Sequence, residues 1–166
     1  MAKYKQKWMK KGKPKQGIFI PKNIEKYILV ENAQNNGRIE YRSSWELMFM
    51  NWCDMNEAVI KWSSEPFAIH YIKPTDAKKH KYYIDFYFEA KNSKGEIIKY
   101  IIEIKPYSET KPPELPKRKT EKSMMNYHKK LMTYQINQAK WNAAKKFAEE
   151  NGLNFMIITE YELGIK

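Results

Sequence analysis

The chain has 166 residues, 42% of them hydrophobic and 14% aromatic, and its 31 Lys and Arg against 19 Asp and Glu leave a net charge of +12. Such a length and apolar content suit one folded domain with tails rather than a disordered chain, and the excess charge points to a polyanionic partner, a signature that nucleic-acid-processing, ribosome-bound and membrane-bound proteins share. The single Cys53 excludes an internal disulfide framework and a cysteine-based zinc site, and no apolar run approaches the roughly 20 residues that span a bilayer, so a soluble, intracellular protein without a membrane partner is expected.

Residues 1–16 are predicted to form a flexible basic arm: the first fifteen carry seven lysines and no acid, with Gly12 and Pro14 interrupting. Lys5, Lys7, Lys10 and Lys11 are candidates to track a phosphate backbone, adding salt-sensitive affinity without reading sequence; a plain solubility tail would have the same composition. Residues 17–38 read as an extended stretch followed by a polar loop at 31–37. A helix is expected from Ser43 or Ser44, because Trp45, Met48, Phe49 and Trp52 fall on one helical stripe. Ser43 and Glu46 have capping-box spacing, so Glu46 has two readings: a helix cap, or a carboxylate reaching a site on a neighbouring sheet.

Val59–Trp62 is predicted as a short strand, and the following segment to Ile72 as a second one broken or bulged by Pro66. A charged turn then leads to two strands rich in aromatic and β-branched residues, Tyr82–Ala90 and Glu96–Lys105, joined by the polar turn Asn92, Ser93, Lys94 and Gly95. Paired antiparallel about Ser93–Lys94, they bring Asp85 opposite Glu103 or within one residue of it, with Lys105 on the Glu103 face. Opposed carboxylates roughly 5 Å apart repel unless a cation lies between them. A hard divalent ion completed by water and phosphate is such a cation; a solvated Glu103–Lys105 pair is the plainer alternative. No two of the three histidines are placed to act together as metal ligands.

The stretch 106–122 is predicted to be a basic, Pro-rich loop, with Lys117, Arg118 and Lys119 as candidates to clamp a DNA backbone. A helix is expected from about Ser123 to Glu150, on the spacing of Met124, Tyr127, Leu131, Tyr134, Trp141 and Ala148, with Asn151–Gly152 as its stop. The strand opening at Asn154 then lies beyond a helical crossover from strand 96–105, so the two should be parallel. The result is a small α/β domain with a mixed sheet.

Four separated blocks resemble one family. IFIPKNIEKY (18–27), EYRSSWEL (40–47), IKWSSEPFAIHYIKP (60–74) with KHKYYIDFYFE (79–89), and YIIEIKP (100–106) are similar, in this order, to the head-completion nucleases of T-even-like bacteriophages and, more distantly, to TnsA-type transposon endonucleases. The resemblance implies a single restriction-endonuclease-like (PD-(D/E)XK) domain over residues 17–166, with a mixed β-sheet whose central antiparallel hairpin is flanked by helices. It implies Asp85 and Glu103 as metal-binding acids, Lys105 as the motif lysine and Glu46 as the helix glutamate of the site, with the Ile104 carbonyl as a further metal ligand. The cofactor implied is Mg²⁺, with Mn²⁺ able to substitute, and Arg42 joins the lysines as a DNA contact. Ile84 stands where the motif has proline; a changed lead into the strand is expected from this, not lost activity. Glu65 lies in a matching block without an assigned role.

The activity implied is metal-dependent hydrolysis of DNA phosphodiesters by an endonuclease that processes DNA ends after packaging and readies the head for neck and tail joining. DNA and phage head, portal or neck proteins are the implied partners, in the cytoplasm of the infected host during assembly, with association with the virion as a second location. Two alternatives stand beside it: a structural head or DNA-binding protein that keeps the nuclease fold, and a TnsA-like transposase endonuclease subunit. The latter is disfavoured because the chain, ending at Lys166, leaves no room for a partner-binding C-terminal domain.

Overall fold

The computed structural model describes residues 16–30 and 38–165. The predicted arm lysines Lys5, Lys7, Lys10 and Lys11 and the loop at 31–37 lie outside the described residues. The chain begins with a short antiparallel pair, β1 (Gly17–Ile18) and β2 (Glu40–Tyr41), and reaches α1 (Ser44–Met55). Ser43 caps this helix from an extended backbone, its Oγ accepting from the Glu46 amide at 3.1 Å, as the capping-box spacing requires.

Helix α1 also fastens the segment that precedes it. The buried Asp54 carboxylate accepts from the Lys22 amide at 2.8 Å and the Asn23 amide at 3.0 Å. Its carbonyl takes Asn23 Nδ2 and Lys26 Nζ. Nothing in the spacing of the sequence announces this anchor. Asp54→Ala is expected to destabilise the protein by roughly 3 kcal/mol, the scale of two hydrogen bonds to a charged acceptor, measured by urea unfolding. A loss below about 0.5 kcal/mol, the range of an ordinary surface substitution, would show the segment to be held by other contacts.

The main sheet follows. Strands β3 (Val59–Ser64), β6 (Phe86–Lys91), β7 (Ile97–Ile104) and β8 (Asn154–Ile158) lie in the order β3-β6-β7-β8, antiparallel except for the parallel β7–β8 pair. Between them in sequence, β4 (Ala68–Ile72) and β5 (Lys79–Tyr83) form a separate antiparallel ribbon. The crossover to β8 is α2 (Glu121–Glu150), capped by Thr120 and stopped at Asn151 and a left-handed Gly152, which agrees with the expected parallel pairing.

Consecutive strand residues point to opposite faces, and β7 shows both faces covered. Ile102 packs with Phe49, Met50, Trp62 and Phe86 on the α1 side, and Ile101 packs with Ile84, Ala144 and Ala148 on the α2 side. Both isoleucines are fully buried. The sheet is thus the middle layer between two helices. On α2 the burial is confined to Asn137, Trp141, Ala144 and Ala148; the earlier Met124, Tyr127, Leu131 and Tyr134 of the predicted stripe are only partly covered.

One expected element is two. The predicted strand Tyr82–Ala90 breaks after Tyr83, and the chain passes from the ribbon to the main sheet through Ile84 and Asp85. The partner strand breaks at the same place. Residues 65–67 oppose residues 84–85, between the Ser64↔Phe86 and Ala68↔Tyr83 pairs, so the first strand carries one extra residue, as in a β-bulge. Glu65 has a left-handed backbone, φ 46°, and its amide donates to the Asp85 carbonyl at 2.9 Å. Pro66, which has no N–H, cannot continue the ladder. The kink turns the chain where Asp85 stands.

Candidate active site

The β6–β7 register runs from Lys91↔Ile97 to Phe86↔Ile102. One step further along it, Asp85 stands opposite Glu103, as the hairpin argument expected. The strand has kinked by then, and Asp85 Oδ2 accepts from the Ile104 amide at 2.7 Å. Lys105, immediately after β7, remains tied to the end of β8 through its amide, which donates to the Ile158 carbonyl at 3.0 Å. Its Nζ lies 3.5 Å from Glu103 Oε1. Glu103 itself is 4% exposed, and its second oxygen, Oε2, has no hydrogen-bond partner.

The electrostatics follow from this enclosure. Burial, then the charge of Glu103, push Asp85 well above the usual carboxylate range, although the Ile104 N–H and Lys105 pull the other way; Glu46 adds to the rise. The residue keeps partial access at a cleft, but its carboxylate is surrounded by protein. Burial also raises Glu103, against the pull of Lys105 and Lys140. For Lys105, burial works against the ammonium, but the charges of Glu103 and Asp85 outweigh it and hold its pKa above the ordinary lysine value. Burial, and after it Glu103 and Asp85, push the Tyr82 phenol up, so that it stays neutral beside the acids.

A small polar cleft adjoins Asp85, lined by Glu40, Arg42, Glu46, Ser64, Glu65 and Phe86 as well. Glu46 reaches it from the first turn of α1, with Oε2 accepting from the Arg42 amide at 2.7 Å and Oε1 from Ser43 Oγ at 3.1 Å. Both readings of this residue therefore have a counterpart: it caps the helix and lines the Asp85 cleft. Arg42 is a forked partner of Glu65, both of its terminal nitrogens meeting that carboxylate. This gives Glu65 the task the sequence left open. Its left-handed backbone turns the chain at the kink, and its side chain fixes an arginine in the cleft lining.

Among the described residues no group of three or more His, Cys, Asp and Glu side chains is gathered for metal binding. What the site offers is a pair of mutually repelling carboxylates, one with an unpartnered buried oxygen. That donor set fits Mg²⁺, which is commonly held by one or two carboxylates and keeps several of its waters. Lys117, Arg118 and Lys119 are exposed on the irregular stretch before α2. The root of that stretch is pinned, the Tyr107 amide donating to Glu160 Oε2 at 2.8 Å and the Tyr107 ring meeting Tyr161 edge-on. The charge of Lys140 on α2 also pulls against the rise of Glu103.

A mixed sheet between two helices, with two acids and a lysine at the end of its central hairpin, defines a restriction-endonuclease-like fold. The family model for the TnsA-like endonuclease N-terminal domain matches residues 56–160, and the chain belongs to that endonuclease family. It is also 38% identical over 144 residues to the head completion nuclease of Enterobacteria phage T4, a similarity that covers 87% of this chain and 90% of that protein.

Proposed function

We propose that this endonuclease is a divalent-cation-dependent enzyme acting on DNA, and that it works in completing phage heads by processing DNA ends after packaging. The observation that carries the first part is the Asp85–Glu103 pair with Lys105 Nζ 3.5 Å from Glu103. Two acids brought together at the end of a sheet, one of them with an unpartnered oxygen beside its lysine, suit a shared divalent cation. The head role rests on similarity to the phage T4 protein and its printed name.

Asp85 and Glu103 would hold Mg²⁺, or Mn²⁺ in its place, with the Ile104 carbonyl as a backbone ligand and Glu46 assisting across the cleft. A bound ion of this kind acidifies water and neutralises phosphate charge. Lys105, charged and 3.5 Å from Glu103 Oε1, would orient the attacking water and stabilise charge developing on the scissile phosphate. The Ile104 amide fixes the Asp85 carboxylate, so its second oxygen keeps one direction. Arg42, the arm lysines Lys5, Lys7, Lys10 and Lys11, and Lys117, Arg118 and Lys119 of the loop would contact the phosphate backbone. Head, portal or neck proteins would be partners during assembly in the infected cell, and the protein would stay with the virion if it remained on the head. No helix among the described residues is long and apolar enough to cross a membrane.

The test is incubation of the protein with supercoiled, linear, branched and single-stranded DNA in Mg²⁺ or Mn²⁺. Cutting of at least one form, abolished by chelation, is expected. Salt-sensitive binding with no cutting of any form would leave a DNA-binding head protein that keeps the fold.

A further inference from the structure

The ribbon of β4 and β5 lies outside the main sheet, and its two faces differ. On one face Ile69, Tyr71 and Tyr82 are buried in a cluster with Ala144 and Ala148 of α2. The Tyr82 hydroxyl donates to the Lys140 carbonyl at 3.1 Å, which fastens the ribbon to that helix. The opposite face is open. It carries the pairs His70↔Lys81 and Ile72↔Lys79, and all four residues are exposed, as the two-residue period requires. Lys73 and Lys78 stand at the tip, where the Lys73 amide donates to the Lys78 carbonyl and the Ala77 amide to the Lys73 carbonyl, each at 2.9 Å. Asp76 is the only acid between Pro66 and Ile84. Its carboxylate is already taken by the Lys78 amide at 3.0 Å and by His80 Nε2 at 2.8 Å. Among the described residues no ion pair engages Lys73, Lys78, Lys79 or Lys81.

We propose that this open face is a duplex-binding surface, on which Lys79 and Lys81, with Lys73 and Lys78 at the tip, hold the phosphate backbone of the DNA beside the bond to be cut. The cut itself rests on the nuclease reading of Asp85, Glu103 and Lys105; the contact rests on the ribbon. Charge selects the partner, since a fixed face with four cations and one satisfied acid complements a polyanion. Placement makes it part of the same enzyme. Lys81 is four residues before Asp85, and the Asp85 cleft is lined from β2, α1 and the end of β3 rather than from α2. Cleft and open face are thus both turned away from α2. Four register steps separate Tyr83 at the kink from Lys79, about 13 Å, a length close to the roughly 12 Å width of a major groove. A duplex seated at the acids therefore reaches the ribbon. Because α2 already holds the ribbon in place, little ordering is left to be lost on binding.

The experiment uses the full chain, with Lys79→Gln/Lys81→Gln as the ribbon variant and Lys79→Arg/Lys81→Arg as its rescue. Lys91→Gln/Lys94→Gln, at the turn end of the β6–β7 hairpin and away from the acids, is a control of equal charge. Binding of a short duplex is measured across salt concentration without divalent ions, beside single-turnover cleavage with Mg²⁺. The ribbon variant is expected to bind roughly ten-fold more weakly at low salt and to lower the slope of log K against log salt by about two, one for each phosphate contact removed. The arginine pair should keep both values, and the control should stay near wild type. In cleavage the ribbon variant should need more enzyme for half-maximal rate while the maximal rate is unchanged, the pattern of binding lost equally from ground and transition states. Lys73→Gln/Lys78→Gln repeats the comparison if the ribbon variant does not fold. Equal changes in ribbon variant and control would overturn the proposal, because the slope would then report net charge alone. An unchanged slope would overturn it too: loss of self-association in sedimentation would then assign the face to a second copy, and no such loss would leave the lysines as guards of free strand edges. If wild type does not cut at all, the nuclease reading fails separately, and the salt slope still decides whether the ribbon holds DNA.

Discussion

Asp85→Asn is expected to abolish DNA cleavage, a loss of at least roughly a thousand-fold on the scale of removing an essential catalytic group, and to raise the thermal stability of the protein in the absence of divalent ions. The two effects have one cause. The asparagine keeps an oxygen to accept from the Ile104 amide, which Asp85 Oδ2 meets at 2.7 Å, but removes the charge that repels Glu103. Stability should respond to pH accordingly. Asp85 and Glu103 are both raised in the folded protein, mainly by burial, so the folded state binds protons more readily than the unfolded one. Their destabilising contribution is absent below the ordinary carboxylate pKa of about 4 and grows as pH rises through the raised values. Acidification from neutrality toward about pH 4 should therefore add stability to wild type through this pair, and Asp85→Asn should flatten that dependence. In a domain of this size about 1 kcal/mol corresponds to a shift of about 2–4 °C in Tm. A variant less stable than wild type at neutral pH, with its pH dependence unchanged, would show that the carboxylates are not in conflict.

Lys105→Met is expected to reduce cleavage roughly a hundred- to a thousand-fold, the range found when one preorganised donor to a developing negative charge is removed. DNA binding should remain within a few-fold, because one partly buried ammonium is a small part of the chain's excess of basic over acidic residues. The variant should also melt lower than wild type without divalent ions. Lys105 Nζ is the charged partner of Glu103 Oε1 at 3.5 Å, and removing one member of an enclosed pair leaves the other uncompensated. Mg²⁺ should return part of that stability, since a cation shared by Asp85 and Glu103 replaces the lost charge. Equal loss of binding and cleavage would instead assign Lys105 to holding DNA. Wild-type cleavage rates would remove it from the chemistry altogether.

The centre of the site was legible because it depends on local geometry. A hairpin turn at Asn92–Gly95 and a period of two residues suffice to bring Asp85 to Glu103, and the register bears this out up to Phe86↔Ile102. The Ser43–Glu46 cap follows from spacing in the same way, and the parallel β7–β8 pair follows from the helix between them. The break at Ile84 and Asp85 was not legible. Every residue from Tyr82 to Phe88 except Asp85 suits a strand, and the kink comes with the extra residue and Pro66 on the partner strand, a tertiary feature that the aromatic run around Asp85 masks. Asp54 and the Arg42–Glu65 fork are contacts between distant segments, so no spacing rule points to them.

The most direct test of the account is cleavage of plasmid DNA in Mg²⁺ by wild type, Asp85→Ala and Lys105→Ala, with DNA binding measured on the same preparations. The account predicts metal-dependent cutting by wild type that disappears in both variants while binding persists. Cutting that survives in either variant, or binding without cutting by wild type, would contradict it.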